Sequence, residues 1–206
     1  LGCFLQKARL GDRLSLATFN SGRLEVEIPP TGDFNALRQA MEQWQPYGTT
    51  AAHDAVAWLP DLETAGESWK HVAILVTDGV DNASALPAST ARSLVRQAEL
   101  PVYVIGLDTG SPFVLDLDGS KLYPFADVLN LLAFETGGRY SPIRWESEVP
   151  AACAAVVDDL RHQYVLSFPT RGDGKRVSHE IEVRVRGKRR HVAYRRGYIG
   201  GAPAPP

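Results

Sequence analysis

The sequence predicts an α/β protein: a doubly wound, mostly parallel sheet flanked by helices, of the Rossmann-like kind, followed by a small antiparallel β appendage. Three observations predict it. Residues 72–76 (Val-Ala-Ile-Leu-Val) and 101–107 (Pro-Val-Tyr-Val-Ile-Gly-Leu) are short apolar runs rich in β-branched residues, the composition of strands buried on both faces of a parallel sheet. Segments of helical period lie between and around them, as in a chain that winds helices over both faces of such a sheet. Past residue 162 the period changes to two, over residues 163–168, 179–186 and 191–198, which predicts strands with one wet face. The predicted organisation is an α/β domain over residues 1–162, a β extension over 163–199 and a proline-rich tail over 200–206.

Each element follows from its local chemistry. Residues 1–10 read as the second half of an amphipathic helix, so the chain is expected to continue upstream of Leu1. Gly11-Asp12 separates that helix from a strand at 13–20. Ser21-Gly22 turns the chain into 23–28, whose strict alternation marks a half-exposed edge strand ended by Pro29-Pro30. Asp33 is placed to cap a helix reaching Trp44, with Phe34, Leu37, Met41 and Trp44 on one face. Thr50 is placed to open the helix from Ala51 to about Leu62, interrupted at Pro60. A helix at 89–100 separates the two buried strands. Residues 114–123 read as a surface hairpin turning at Asp118-Gly119. The helix at 125–136 stops at Gly137-Gly138. A short strand follows at 139–143, and Ser147 is placed to cap a final helix at 149–162.

The chain has 206 residues, 44% of them hydrophobic, with a formal net charge of −2. That is enough to bury a sizeable core. No run approaches the roughly 18 apolar residues of a membrane span. Residues 171–196 carry seven net positive charges against nine net negative in the remainder. The basic residues there alternate with Val, Ile and Tyr, which reads as a solvated sheet face rather than a nucleic-acid surface. Cys3 and Cys153 fit neither a zinc pattern nor a disulfide framework and read as two buried free thiols, with one long-range disulfide as the alternative. The five histidines lack ligand spacing and read as surface or packing residues. No P-loop, dinucleotide glycine motif or Ser-His-Asp arrangement is present.

Two polar clusters carry the candidate chemistry. The first buried strand runs into Thr77, Asp78 and Gly79, and ligands of such sheets sit past the carboxyl ends of the strands. Gly48-Thr49-Thr50 precedes a helical stretch. Hydroxyl and carboxylate oxygens of this kind suit a hard cation. Asp78 also fits a plain strand terminator and Thr50 a helix cap, while Asp81 and Asn82 fit turn formers.

Several segments together resemble the von Willebrand factor type A domain: Phe19-Asn20-Ser21, Tyr47-Gly-Thr-Thr-Ala-Ala-His-Asp-Ala55, Leu75-Val-Thr-Asp-Gly-Val-Asp-Asn-Ala-Ser84 and Val102-Tyr-Val-Ile-Gly-Leu107. Gln163-Tyr-Val-Leu-Ser-Phe168 and Arg195-Arg-Gly-Tyr198 further resemble the C-terminal extension of bacterial secreted proteins of that family. The resemblance implies a non-enzymatic, secreted, periplasmic or cell-surface binding and adhesion module. It implies a metal-ion-dependent adhesion site in which Thr50 and Asp78 are ligands to Mg²⁺, with Mn²⁺ or Ca²⁺ as alternatives, and in which an acidic group of a protein partner completes the coordination. The family's Asp-x-Ser-x-Ser loop and the central strand before it have no counterpart in these residues. This implies an N-terminally truncated domain with weak cation binding, two strands left with unpaired edges, and poor independent stability.

Three further readings are weaker. Asp116 and Asp118, in Asp116-Leu-Asp-Gly119, resemble the nucleophile loop of haloacid-dehalogenase-type phosphatases, but the motif lies between elements the type A pattern already uses. Arg171-Gly172-Asp173 matches a tripeptide recognised by integrins and fits a hairpin turn equally well. A metal-independent scaffold whose β appendage makes the contacts is the alternative within the same fold.

Overall fold

A computed structural model of the protein describes residues 1–20, 23–45, 48–59, 70–77, 81–95, 100–107, 113–115, 122–169, 177–187 and 192–200. Its centre is a parallel sheet of three strands, β3 (Ala73–Thr77), β4 (Val102–Leu107) and β7 (Tyr140–Ile143), in the order β3-β4-β7. Thr77, Gly106 and Pro142 lie in register across it. β4 is the innermost strand, buried from Val102 to Gly106. Its apolar run makes it so, because every second side chain on each face finds a hydrophobic neighbour.

Helices cover both faces. One core unites Ala52 and Val56 of α3 (Ala52–Ala57), Val102 and Val104 of β4, and Leu129, Leu132 and Ala133 of α5 (Phe125–Thr136). The other unites Phe4 of α1 (Gly2–Lys7), Tyr103 and Ile105 of β4, Ile143 of β7, and Ala152, Cys153 and Val156 of α6 (Val149–Arg161). α4 (Ala88–Val95) packs beside α3. The chain therefore has the doubly wound α/β architecture that its sequence predicts.

β1 (Leu14–Asn20) and β2 (Arg23–Thr31) form a separate antiparallel pair. β1 belongs to the same layer as β3, since Phe19 shares the first core with Ala73 and Leu75, while Leu14 shares the second with Ile74 and Val76. No ladder joins β1 to β3 among the described residues. Among the described residues β3 pairs with β4 alone, and its Ala73–Val76 are only half-buried, although its composition is that of an interior strand.

Several expectations are corrected. β2 runs through Pro29-Pro30 to Thr31, because an edge strand has a side where a missing N–H does no harm. α2 (Phe34–Gln43) is capped by Asp33, whose carboxylate accepts the N–H groups of Asn35 and Ala36 at 3.1 Å, as expected. α3 begins only at Ala52, with Ala51 in the cap position, so Thr50 does not cap it. Ser147 lies inside a 3-10 turn (Glu146–Glu148) and caps nothing; Glu148 leads into α6. Cys3 and Cys153 form a disulfide that joins α1 to α6 across 150 residues of chain, in place of two free thiols.

The appendage is shorter than its period implies. β8 (Val177–Glu180) and β9 (Gly197–Gly200) pair antiparallel, and Gln163–Phe168 forms no ladder. It docks at the end of α5. Gly137 ends that helix at φ +82°, and a Cβ there would lie 2.8 Å from the backbone of Tyr194 and Arg195. Arg196 donates its backbone N–H to the Glu135 carbonyl at 2.9 Å, and its guanidinium lies 4.0 Å from the ring centroids of both Phe134 and Tyr194. β5 (Phe113–Leu115) and β6 (Leu122–Pro124) form the hairpin read from residues 114–123.

Candidate functional site

The parallel order of β3, β4 and β7 puts their carboxyl ends on one rim, where Thr77, Leu107 and Ile143 close the strands. Two loops that are distant in sequence meet beside β3. The backbone N–H of Thr50 donates to Oδ1 of Asn82 at 2.9 Å. The Thr50 carbonyl in turn accepts the N–H groups of Asn82 at 3.0 Å and Ala83 at 3.2 Å. Thr50 is thereby fixed against the segment that begins three residues after Asp78. Asp78 itself lies outside the described residues, as do Asp116, Asp118 and Arg171–Asp173.

The same loops exchange helix caps. A helix leaves its first N–H groups without internal partners. In α3 the N–H of His53 donates to Asp81 Oδ2 at 2.9 Å and to the Ser84 hydroxyl at 3.1 Å, and the N–H of Asp54 donates to Ser84 at 3.2 Å. Asp54 returns the service: buried in α3, it accepts the N–H of Ala85 at 3.0 Å and of Leu86 at 2.9 Å, just ahead of α4. The Ser84 hydroxyl donates to Asp81, and Nδ1 of His53 lies 3.4 Å from Asp81 Oδ2. Burial pushes the Asp81 carboxyl up, but the hydrogen bonds from the Ser84 hydroxyl and the His53 and Ser84 N–H groups outweigh it and hold the group below its ordinary range.

Sequence reasoning singled out Thr50 but not Asp54 or Ser84, and read Asp81 and Asn82 as turn formers only. A signal was present: Asp54 sits among Ala51, Ala52, Ala55 and Val56, where a lone carboxylate on an apolar helix face needs a built partner. The Thr50 hydroxyl forms no hydrogen bond to another described residue. No group of three His, Cys, Asp or Glu side chains able to hold a metal occurs among the described residues. A hydroxyl oxygen is a ligand of the type that suits a hard divalent cation.

Residues 1–80 match the von Willebrand factor type A domain. The resemblance to that domain is thus carried by residues 1–80. Solved structures of low sequence identity share its fold. The protein BatB from Bacteroides thetaiotaomicron is 15% identical with a TM-score of 0.57, over 78% of this chain and 84% of that one. An aerotolerance-related membrane protein from Bacteroides fragilis NCTC 9343, solved with multiple mutations to serines, is 17% identical with a TM-score of 0.55, over 76% and 84%. Proximal thread matrix protein 1 from the mussel byssus, in a form with a zinc-occupied MIDAS motif, is 19% identical with a TM-score of 0.54, over 73% of this chain and 37% of that one. No curated protein matches the chain. Among the described residues, no helix is long and apolar enough to cross a membrane.

Proposed function

We propose that this chain is a non-enzymatic protein-binding module of the von Willebrand factor type A kind that captures an acidic group of a partner through a divalent cation at the rim beside β3. The observation that carries the reading is the mutual hydrogen bonding of Thr50 and Asn82, which fixes the Thr50 loop beside the loop that follows Asp78. Thr50 and Asp78 would hold the cation, Mg²⁺ before Mn²⁺ or Ca²⁺ in our reading, and water would fill the remaining positions. A bound cation supplies attraction for a partner carboxylate. The chain's own part is to fix the Thr50 loop through Asn82 and to keep Asp81 and Asp54 engaged as caps. The mussel protein's zinc-occupied motif is consistent with cation binding by this fold. The Cys3–Cys153 disulfide supports a location outside the reducing cytosol, at the cell surface, in the periplasm or secreted.

Mn²⁺ titration followed by NMR tests the reading, because paramagnetic broadening registers weak sites. The amide signals of Thr50, Ala51, Asn82 and Ala83 are expected to broaden first. Thr50→Val and Asp78→Ala should each remove that selectivity. Broadening that ignores these residues, or that survives both substitutions unchanged, would overturn the cation site.

A further inference from the structure

We infer that residues 164–168, Tyr-Val-Leu-Ser-Phe, are a self-pairing strand through which two copies of this chain associate, antiparallel, about a two-fold axis at Leu166.

The segment is an apolar surface without a cover. Tyr164, Val165, Leu166 and Phe168 are 91%, 78%, 72% and 55% exposed. Together they present on the order of 500 Å² of apolar area, at the upper end for a patch on a single chain. No backbone group of residues 164–168 bonds another described residue. A ladder along the segment covers backbone as well as side chains, which brings the area near the roughly 800 Å² per partner of a stable complex.

Both ends of the segment are held by the fold. The side-chain amide of Gln163 donates to the Tyr103 hydroxyl at 2.7 Å. Tyr103 lies near the amino end of β4, so this surface starts at the opposite end of the sheet from the cation rim. At the other end the Phe168 ring meets Tyr198 of β9 edge-on, with the centroids 5.8 Å apart. A strand presented from two fixed points loses less freedom on pairing than a loose one.

The order of the side chains selects the occupant. In a strand Tyr164, Leu166 and Phe168 share one face, and Val165 and Ser167 the other. The first face reads aromatic, aliphatic, aromatic in both directions. Paired antiparallel about Leu166, Tyr164 of each copy stands opposite Phe168 of the other, and Leu166 stands opposite itself. Cross-strand aromatic pairs of this kind are favourable. A two-fold contact requires such a patch, one that complements itself. No residue from Gln163 to Thr170 is charged, so no like charges meet in this register, whereas exposed edges ordinarily carry a charge that blocks pairing. Pro169 lacks an N–H and ends the ladder.

The test uses the full 206-residue chain with its Cys3–Cys153 bond intact. Light scattering from micromolar to submillimolar concentration is expected to show a mass rising towards that of two chains. Leu166→Asp sets two carboxylates opposite each other and should weaken association about tenfold or more. Leu166 is exposed, so the core is untouched by the change, and far-ultraviolet circular dichroism checks that it is. Leu166→Cys, on the axis, should cross-link two copies under mild oxidation, whereas Val165→Cys, opposite Ser167, should not. The mass of one chain at every concentration, the result if this strand serves a different protein or another part of a longer chain, overturns the proposal. So does a dimer that Leu166→Asp leaves intact, or cross-linking through Val165→Cys as fast as through Leu166→Cys.

Discussion

Asn82 and Thr50 hold each other twice: the Asn82 side-chain carbonyl accepts the Thr50 N–H at 2.9 Å, and the Thr50 carbonyl accepts the Asn82 N–H at 3.0 Å. The pair closes two loops 32 residues apart into one polar rim. Asn82→Ala removes the first bond and leaves the Thr50 N–H to solvent. We expect a loss of about 1 kcal/mol in stability and faster hydrogen exchange at Thr50. Unchanged exchange at that amide would show that the side chain does not fix the loop.

Asp54 is the more costly residue to alter. It is 4% exposed and is the acceptor for both Ala85 and Leu86. Asp54→Ala leaves two N–H groups without an acceptor in a buried setting, and a loss of about 2–4 kcal/mol is expected. Urea denaturation checks it. A loss under 1 kcal/mol would mean that water replaces the carboxylate.

Stability should fall in acid through identifiable groups. The Arg161 guanidinium, hydrogen-bonded to Asp12, holds that carboxyl below the ordinary 3.8, and Asp81 is held below the same value by its hydrogen bonds. A carboxyl whose folded pKa is depressed contributes stability that is present above its unfolded pKa and is lost as pH falls through the folded one. Denaturation midpoints should therefore be flat above about pH 5 and drop below about pH 4. Asp81→Asn should lower the plateau and make the drop shallower; an unaltered pH slope in that variant would remove Asp81 from the account.

The Cys3–Cys153 bond closes a loop of 150 residues. On the chain-entropy argument such a bond contributes about 5 kcal/mol, through restriction of the unfolded chain. Reduction, or Cys153→Ser, should lower the melting temperature by more than ten degrees, about what a loss of that size implies for a domain of this length. Equal melting with and without reductant would refute the contribution.

Gly137 joins the domain to its appendage. A Cβ at this position would stand 2.8 Å from backbone atoms of Tyr194 and Arg195, on a residue with φ +82°. Gly137→Ala should therefore free the 192–197 segment from α5, seen as faster exchange of the Arg196 amide, which donates to Glu135. Protection of that amide at the native level would show that the contact tolerates the change.

The layered fold is legible in the sequence alone. The apolar runs at 72–76 and 101–107 read as parallel strands, and the helical periods around them supply cover for the sheet. The sequence also marked the Thr50 segment and the strand end at Thr77, because a polar cluster straight after a buried strand is legible in one dimension. Where helix α3 begins was decided only in three dimensions. Its N–H groups are satisfied by Asp81 and Ser84, about 30 residues away, so local capping rules pointed to Thr50 wrongly. The disulfide, read from the sequence as two free thiols, escapes that reading for the same reason: two cysteines 150 residues apart become neighbours only once α1 and α6 pack on one face of the sheet. Pairing of the appendage strands likewise depends on contacts with α5 that no periodicity encodes. Short-range chemistry sets which elements form; which distant groups satisfy their exposed ends is settled by packing, because a hydrogen-bond partner is chosen by position in space and not by position in the chain.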